Sequence, residues 1–176
     1  MVNEQEKTLE ALQIAIQMEI DGKEYYLKTS QNSSNELGEK LLQSLAKAED
    51  VHRQKFTEIY EAIRSQKAWP KVDLQPDAGK TLRPLFDLAT EKGAAELKPL
   101  ATELVAVQTA MDMENKTLDF YKSQEAKTSD ATEKRFYDTL ADEEREHYLI
   151  LLDYYEYLKD PEGWFVRSEH TSLDGG

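Results

Sequence analysis

A glutamate stands three residues before a histidine twice in this chain, at the same point of two similar stretches 95 positions apart. The first is Leu45-Ala46-Lys47-Ala48-Glu49-Asp50-Val51-His52, and the second is Leu140-Ala141-Asp142-Glu143-Glu144-Arg145-Glu146-His147. On a helix, positions i and i+3 share a face, so each pair turns a carboxylate and an imidazole in one direction. The same displacement carries Met18-Glu19 onto Met113-Glu114, Tyr26 onto Tyr121, Leu9 onto Leu104, Ala15 onto Ala110 and Tyr60-Glu61 onto Tyr155-Glu156. The interval from Glu19 to Glu49 therefore equals that from Glu114 to Glu144. The chain reads as an internal duplication of a two-helix unit, which confines it to an all-α, four-helix design.

Apolar periodicity gives the four helices. The first runs from about Glu4 to Ser30 with Leu9, Leu12, Ile16, Glu19 and Tyr26 on one stripe. The polar run 31–35 makes a turn and supplies cap residues for a second helix reaching Gln66, whose inner face carries Leu42, Leu45, Glu49, His52, Phe56, Ile59 and Ile63. The third starts at Ala95 or Lys98 and ends at Lys127, with Leu104, Val107, Met111, Glu114, Leu118 and Tyr121 on its seam. The fourth spans Ala131 to Lys159 with Phe136, Leu140, Glu144, His147, Leu151, Tyr154 and Leu158, and Asp160-Pro161-Glu162-Gly163 stops it. In every helix the acids and histidines interrupt an otherwise apolar seam.

Between the halves, Ala68 to Gly93 is broken by Trp69-Pro70, Pro76-Asp77, Gly79 and Pro84, leaving room for a short helix at Leu82 to Glu91. Two copies related by a two-fold axis perpendicular to the helices require helix three to run in the direction of helix two. The connection must then cross the whole bundle, roughly 40 Å for helices of about 30 residues. The expected organisation is one domain over residues 1–160 and a C-terminal tail over 161–176, whose Trp164 and Phe165 dock on the bundle.

Four inward carboxylates and two inward imidazoles at matched heights form a charge problem. Burying each carboxylate uncompensated costs several kcal/mol, against a net domain stability of about 5 to 15 kcal/mol. Two divalent ions would neutralise four glutamates and leave neutral histidines as further donors, as in di-iron and di-manganese carboxylate bundles. The chain has three histidines; His52 and His147 are the matched pair, and His170 in the tail is expected at the surface. Tyr26 and Tyr121 follow Glu19 and Glu114 by seven residues on the same face, either as core aromatics or as hydrogen-bond donors to those carboxylates.

Composition narrows the chemistry. A net charge of -13 and a pI near 4.7 argue against nucleic acid and anionic membrane surfaces as partners. There is no cysteine in the chain, so it holds no disulfide, iron-sulfur cluster or thiol relay of its own, and electrons must come from another protein. The polar start Met1-Val2-Asn3-Glu4-Gln5-Glu6-Lys7 leads to no long apolar run, and a cytoplasmic location is expected by default.

At the six positions Glu19, Glu49, His52, Glu114, Glu144 and His147 the sequence resembles the ferritin-like superfamily, and within it the rubrerythrin-like branch, over about residues 8 to 160. The resemblance implies a ferritin-like four-helix bundle holding two iron ions, with manganese possible. Glu19 and Glu114 would be terminal ligands, Glu49 and Glu144 would bridge the metals, and His52 and His147 would each complete one. Two departures stand out. The four cysteines of a rubredoxin module are missing, and Thr117 occupies the place of an extra carboxylate one turn after Glu114. The remaining four glutamates and two histidines are closer to the symmetric set of bacterioferritins.

The expectation is an enzyme that reduces peroxide or dioxygen, a role in oxidative stress, with an external electron-donor protein. Ferrous oxidation for iron handling is an alternative, and a metal sensor or buffer without turnover is another. Bundles of this kind commonly dimerise, so a homodimer is expected; with no fifth helix after the fourth, a large cage is not.

Overall fold

The structure, a computed structural model, describes residues 4–65, 68–72, 74, 77, 79–86 and 101–164. Four long helices dominate: α1 (Glu4–Ser30), α2 (Glu36–Arg64), α3 (Ala101–Lys127) and α4 (Ala131–Lys159). No strand occurs among the described residues, and no helix among them is long and apolar enough to cross a membrane. α1 and α4 have the expected ends, whereas α2 stops at Arg64 because Ser65 leaves helical geometry while its N–H still bonds Glu61. The expected start of the third helix before residue 101 lies outside the described residues. So do Phe165, His170 and the later part of the short helix expected at Leu82 to Glu91, of which 84–86 are helical.

The duplication extends to helix ends. Adding 95 to the bounds of α2 returns those of α4, and the N-caps Asn35 and Asp130 are also 95 apart. The Asn35 side chain accepts from the Gly38 N–H, and that of Asp130 from the N–H groups of Thr132 and Glu133. Each satisfies donors that a first helical turn would otherwise leave unpaired.

Contacts between helices fix their directions. Gln5 reaches Ile63 and Lys23 reaches Asp50, so α1 and α2 are antiparallel. Lys122 pairs with Asp138 and Tyr154 with Glu103, so α3 and α4 are antiparallel. Tyr25 bonds the Ala106 carbonyl while Tyr121 bonds Glu19, so α1 and α3 are antiparallel as well. It follows that α2 and α3 run the same way, the arrangement that demands a long crossover.

The described part of that crossover follows α4. Trp69 packs edge-on against Phe136 and at a tilt against Tyr137 near the start of α4. Gly79, with a positive φ of 73°, comes so close that a Cβ there would lie 3.1 Å from Ile150 Cδ1 and 3.3 Å from Glu146 Oε2. Arg83 then pairs with Glu146 at 2.8 Å. Phe86 meets Trp164, which also packs edge-on against Tyr157 beyond the middle of α4.

Two apolar clusters fill the bundle. One contains Tyr26, Leu41, Leu42, Leu45, Val107, Met111, Ile150, Leu151 and Tyr154, and the other Leu12, Ala15, Phe56, Ile59, Tyr121, Phe136, Tyr137 and Leu140. The 95-residue shift maps Leu45, Ala46 and Tyr26 of the first cluster onto Leu140, Ala141 and Tyr121 of the second. Burial of these side chains supplies about 25 cal/mol per Å² of apolar area and leaves the polar layer between the clusters walled from water at both ends.

Candidate metal centre

Each helix brings one carboxylate to that layer, and α2 and α4 add one imidazole apiece. Glu19 and Glu144 are fully buried, and Glu49, His52, Glu114 and His147 are 3–4% exposed. The Nδ1 of His52 lies 3.4 Å from Glu19 Oε2 and 3.4 Å from Glu144 Oε1. By the two-fold relation, His147 Nδ1 lies 3.8 Å from Glu114 Oε1 and 3.2 Å from Glu49 Oε1, and it also comes to 3.3 Å from Glu144 Oε2. The two imidazoles stack with centroids 5.8 Å apart and planes 19° from parallel.

These contacts resolve into two overlapping groups. Glu19, Glu49, His52 and Glu144 can each offer a ligand atom within 4.8 Å of the others, and so can Glu49, Glu114, Glu144 and His147. All six expected residues are therefore brought together, with Glu49 and Glu144 common to both groups. Buried polar atoms that lack a hydrogen-bond partner concentrate here: Glu19 Oε2, Glu49 Oε1, both oxygens of Glu144 and Nδ1 of both histidines. Orphaned buried acceptors cost about 1–3 kcal/mol each, more for charged groups. A mixed oxygen and imidazole donor set facing inward with free lone pairs fits a pair of divalent ions.

The electrostatics agree. Burial and the neighbouring Glu49 push Glu19 well above the usual carboxylate range, and burial with Glu144 does the same to Glu114. Burial disfavours a charged imidazole at His52 and His147, but Glu19 and Glu144 at the first, and Glu144 and Glu49 at the second, overcome this and raise both. Glu144 moves the other way: burial opposes its charge, yet the imidazoles of His147 and His52 hold it low. Without cations, the cluster keeps protons where cations fit.

Tyr26 and Tyr121 are buried core aromatics and hydrogen-bond donors at once. Tyr26 donates to Glu114 and Tyr121 to Glu19, each crossing between α1 and α3 in a pair that the 95-residue shift maps onto itself. Burial, then the adjacent carboxylate, raises both phenols, so they stay protonated and keep donating. A cavity of about 350 Å³ reaches the imidazoles between α2, α4 and the crossover, bordered by Ala48, Val51, Leu74, Thr81, Leu82 and Glu143.

Two buried acids do not join the centre: Glu143, which borders the cavity, and Glu103. Glu103, 4% exposed, accepts from the Tyr154 hydroxyl at 2.7 Å, the Ser33 hydroxyl at 2.8 Å and the Ser34 N–H at 3.2 Å. Asn35 Nδ2 donates to Tyr154 at 2.9 Å, and Gly38 leaves the space, since a Cβ there would collide with the Tyr154 hydroxyl and Ser33 Oγ. The sequence pattern places Leu104 on this seam, but Leu104 is only half-buried and Glu103 points inward. Glu103 lies four residues before Val107 and eleven before Glu114, a spacing that could have marked it.

The rubrerythrin family model matches residues 10–155. A hypothetical protein from Pyrococcus furiosus has a similar solved structure, with a TM-score of 0.66 and 27% sequence identity over 88% of this chain and 92% of that one. No curated protein matches the chain significantly. The matched span includes all six clustered donors and both tyrosines, and the chain belongs to the rubrerythrin family.

Proposed function

We propose that this chain is a non-haem di-iron oxidoreductase that reduces peroxide or dioxygen with electrons from an external donor protein. Family membership and the buried acid and histidine groups support a di-iron carboxylate protein. The observation that carries the finer reading is the sharing of Glu49 and Glu144 between two donor groups, which would set two ions side by side. In this reading Glu19 with His52 and Glu114 with His147 complete the two positions. Iron would fill them, and manganese suits the same donors.

Held by these six residues, a ferrous pair would supply two electrons for reduction of the oxidant. The protein does the rest. Tyr26 and Tyr121 fix one carboxylate oxygen each on Glu114 and Glu19, so these two acids hold their orientation as charge changes. The flanking apolar clusters exclude bulk water, and the cavity beside His52 and His147 lets a small molecule approach. Reduction of one peroxide to two waters takes two electrons and two protons; with no cysteine in the chain to relay them, the electrons come from the outside donor.

Anaerobic loading with ferrous iron followed by peroxide in a stopped-flow spectrophotometer tests this. A ferric absorption band should form within the mixing experiment and fade when a reductant is added, over repeated cycles. A band that forms only while excess ferrous iron is consumed, without reductant-driven recovery, makes the chain an iron oxidase. A spectrum that never responds to oxidant makes it a metal buffer or sensor and ends the proposal.

A further inference from the structure

The duplication preserves the six donors and the two tyrosines but not the packing around those tyrosines. Phe56, Phe136 and Tyr137 correspond, across the 95-residue shift, to Leu151, Leu41 and Leu42. All six are buried. Leucine therefore satisfies the packing at these places in one half, and the fold by itself does not require rings in the other.

The rings form a continuous track. Tyr121, which donates to Glu19, lies 6.0 Å from Tyr137 and 5.4 Å from Phe56 between ring centroids. Tyr137 lies 6.0 Å from Trp69, and Trp69 lies 5.9 Å from Phe136. Trp69 is half-buried and borders a surface cavity of about 400 Å³ that also carries the exposed Lys71 and Arg135. From Tyr26, ring contacts among the described residues reach Tyr25 alone.

We infer that Trp69, Tyr137 and Tyr121 are the path by which electrons reach the metal centre, and that an acidic one-electron carrier protein docks at Trp69 against Lys71 and Arg135. This rests on the redox function proposed above. Contacting π systems couple electronically better than the saturated side chains that replace them around Tyr26. Trp69 Nε1 and the Tyr137 hydroxyl have no hydrogen-bond partner among the described residues, so the rings serve as neutral bridges between carrier and metal, neither gaining nor losing a proton. Each passage oxidises one carrier by one electron and reduces one ferric ion to ferrous. On a chain of net charge -13, two cations beside the end of the track give an acidic carrier a local attraction that most of the surface denies it.

The track can be read in reverse, without turnover. In a Trp164→Phe background Trp69 is the remaining tryptophan, and azide radicals made by pulse radiolysis oxidise it by one electron, becoming azide ions. In ferrous-loaded protein an electron from the centre should refill Trp69, leaving one ferric ion, and the tryptophan radical absorbance should decay faster than in zinc-loaded protein, where the metal is redox-inert. Phe56→Leu/Tyr137→Leu, which installs two of the three leucines found around Tyr26, should slow that decay by about tenfold, or about 1.4 kcal/mol of barrier. Should the double variant lose metal, Tyr137→Leu alone is read. Equal decay with zinc and ferrous iron, or no effect of the leucines in a variant that keeps its metal, overturns the path. For the docking surface, photoreduced flavin mononucleotide serves as an anionic donor and reduced methyl viologen as a cationic one. Lys71→Glu/Arg135→Glu should slow reduction of the ferric centre by the flavin and not by the viologen; equal effects on both overturn the docking site. A protein that refills Trp69 but never turns over peroxide would refute the proposed function and leave the path standing.

Discussion

Removing the cations from the centre should make the protein less stable as pH rises, opposite to the metal-loaded form. In the metal-free fold, Glu19, Glu114, His52 and His147 all hold protons more tightly than they would in the unfolded chain, where their values are near 4.5 and 6.5. Stability from such groups is complete below the unfolded value and lost as pH climbs through the raised folded one. Glu144 is held low and works in the reverse sense, its contribution being lost only in acid. Above about pH 6.5, then, the folded site carries surplus protons, each giving a slope of about 1.4 kcal/mol per pH unit. For a chain of this length 1 kcal/mol is about 2–4 °C in Tm, so one surplus proton means roughly 3–6 °C lost per pH unit. Bound divalent ions displace those protons, and their binding strengthens with pH, so the loaded protein should hold or gain Tm over the same range. Thermal melts by circular dichroism, with EDTA and with excess zinc or anaerobic ferrous iron, between about pH 6.5 and 8.5, make the comparison. A metal-free Tm that is flat or rises with pH refutes the reasoning, and so do parallel slopes in the two forms.

Glu49→Ala or His147→Ala should bring the metal content below two per chain and change Tm only in metal-containing buffer; elemental analysis showing an unchanged count contradicts the ligand assignment. Tyr154→Phe takes a donor from buried Glu103 and an acceptor from Asn35, and should cost about 1–3 kcal/mol in urea unfolding while metal content stays the same. Gly38→Ala, which at an open helical position would stabilise by about 0.4–1 kcal/mol, should instead destabilise, because its Cβ meets Tyr154 and Ser33. Asp130→Ala should cost about 1 kcal/mol by unpairing the Thr132 and Glu133 N–H groups, measured by the same unfolding curves.

The centre was legible because its information is redundant. Glu19 and Glu49 are separated by the same interval as Glu114 and Glu144, all on apolar stripes, and the crossover direction follows from the same two-fold relation that the interhelical contacts display. What escaped is what the duplication does not repeat. Glu103 answers to Thr8 and Tyr154 to Ile59 in the other half, so no second copy drew attention to the network they build with Ser33 and Asn35. The aromatic exchange around Tyr121 hid for a related reason: phenylalanine and leucine are equivalent to a periodicity argument, which sees apolar character and not rings. In the sequence Trp69 marks only a break in the chain, since its contacts with Phe136 and Tyr137 join segments more than sixty residues apart.

The long connection between α2 and α3 contributes none of the six donors; all of them belong to two antiparallel hairpins, α1 with α2 and α3 with α4. Each hairpin alone presents two acids and one imidazole, half a coordination set. The surface it would offer is self-complementary, so one such hairpin paired with its own copy would already assemble the full set. The covalent tie makes that pairing permanent, and it frees the halves to diverge, as the rings on one side and leucines on the other record.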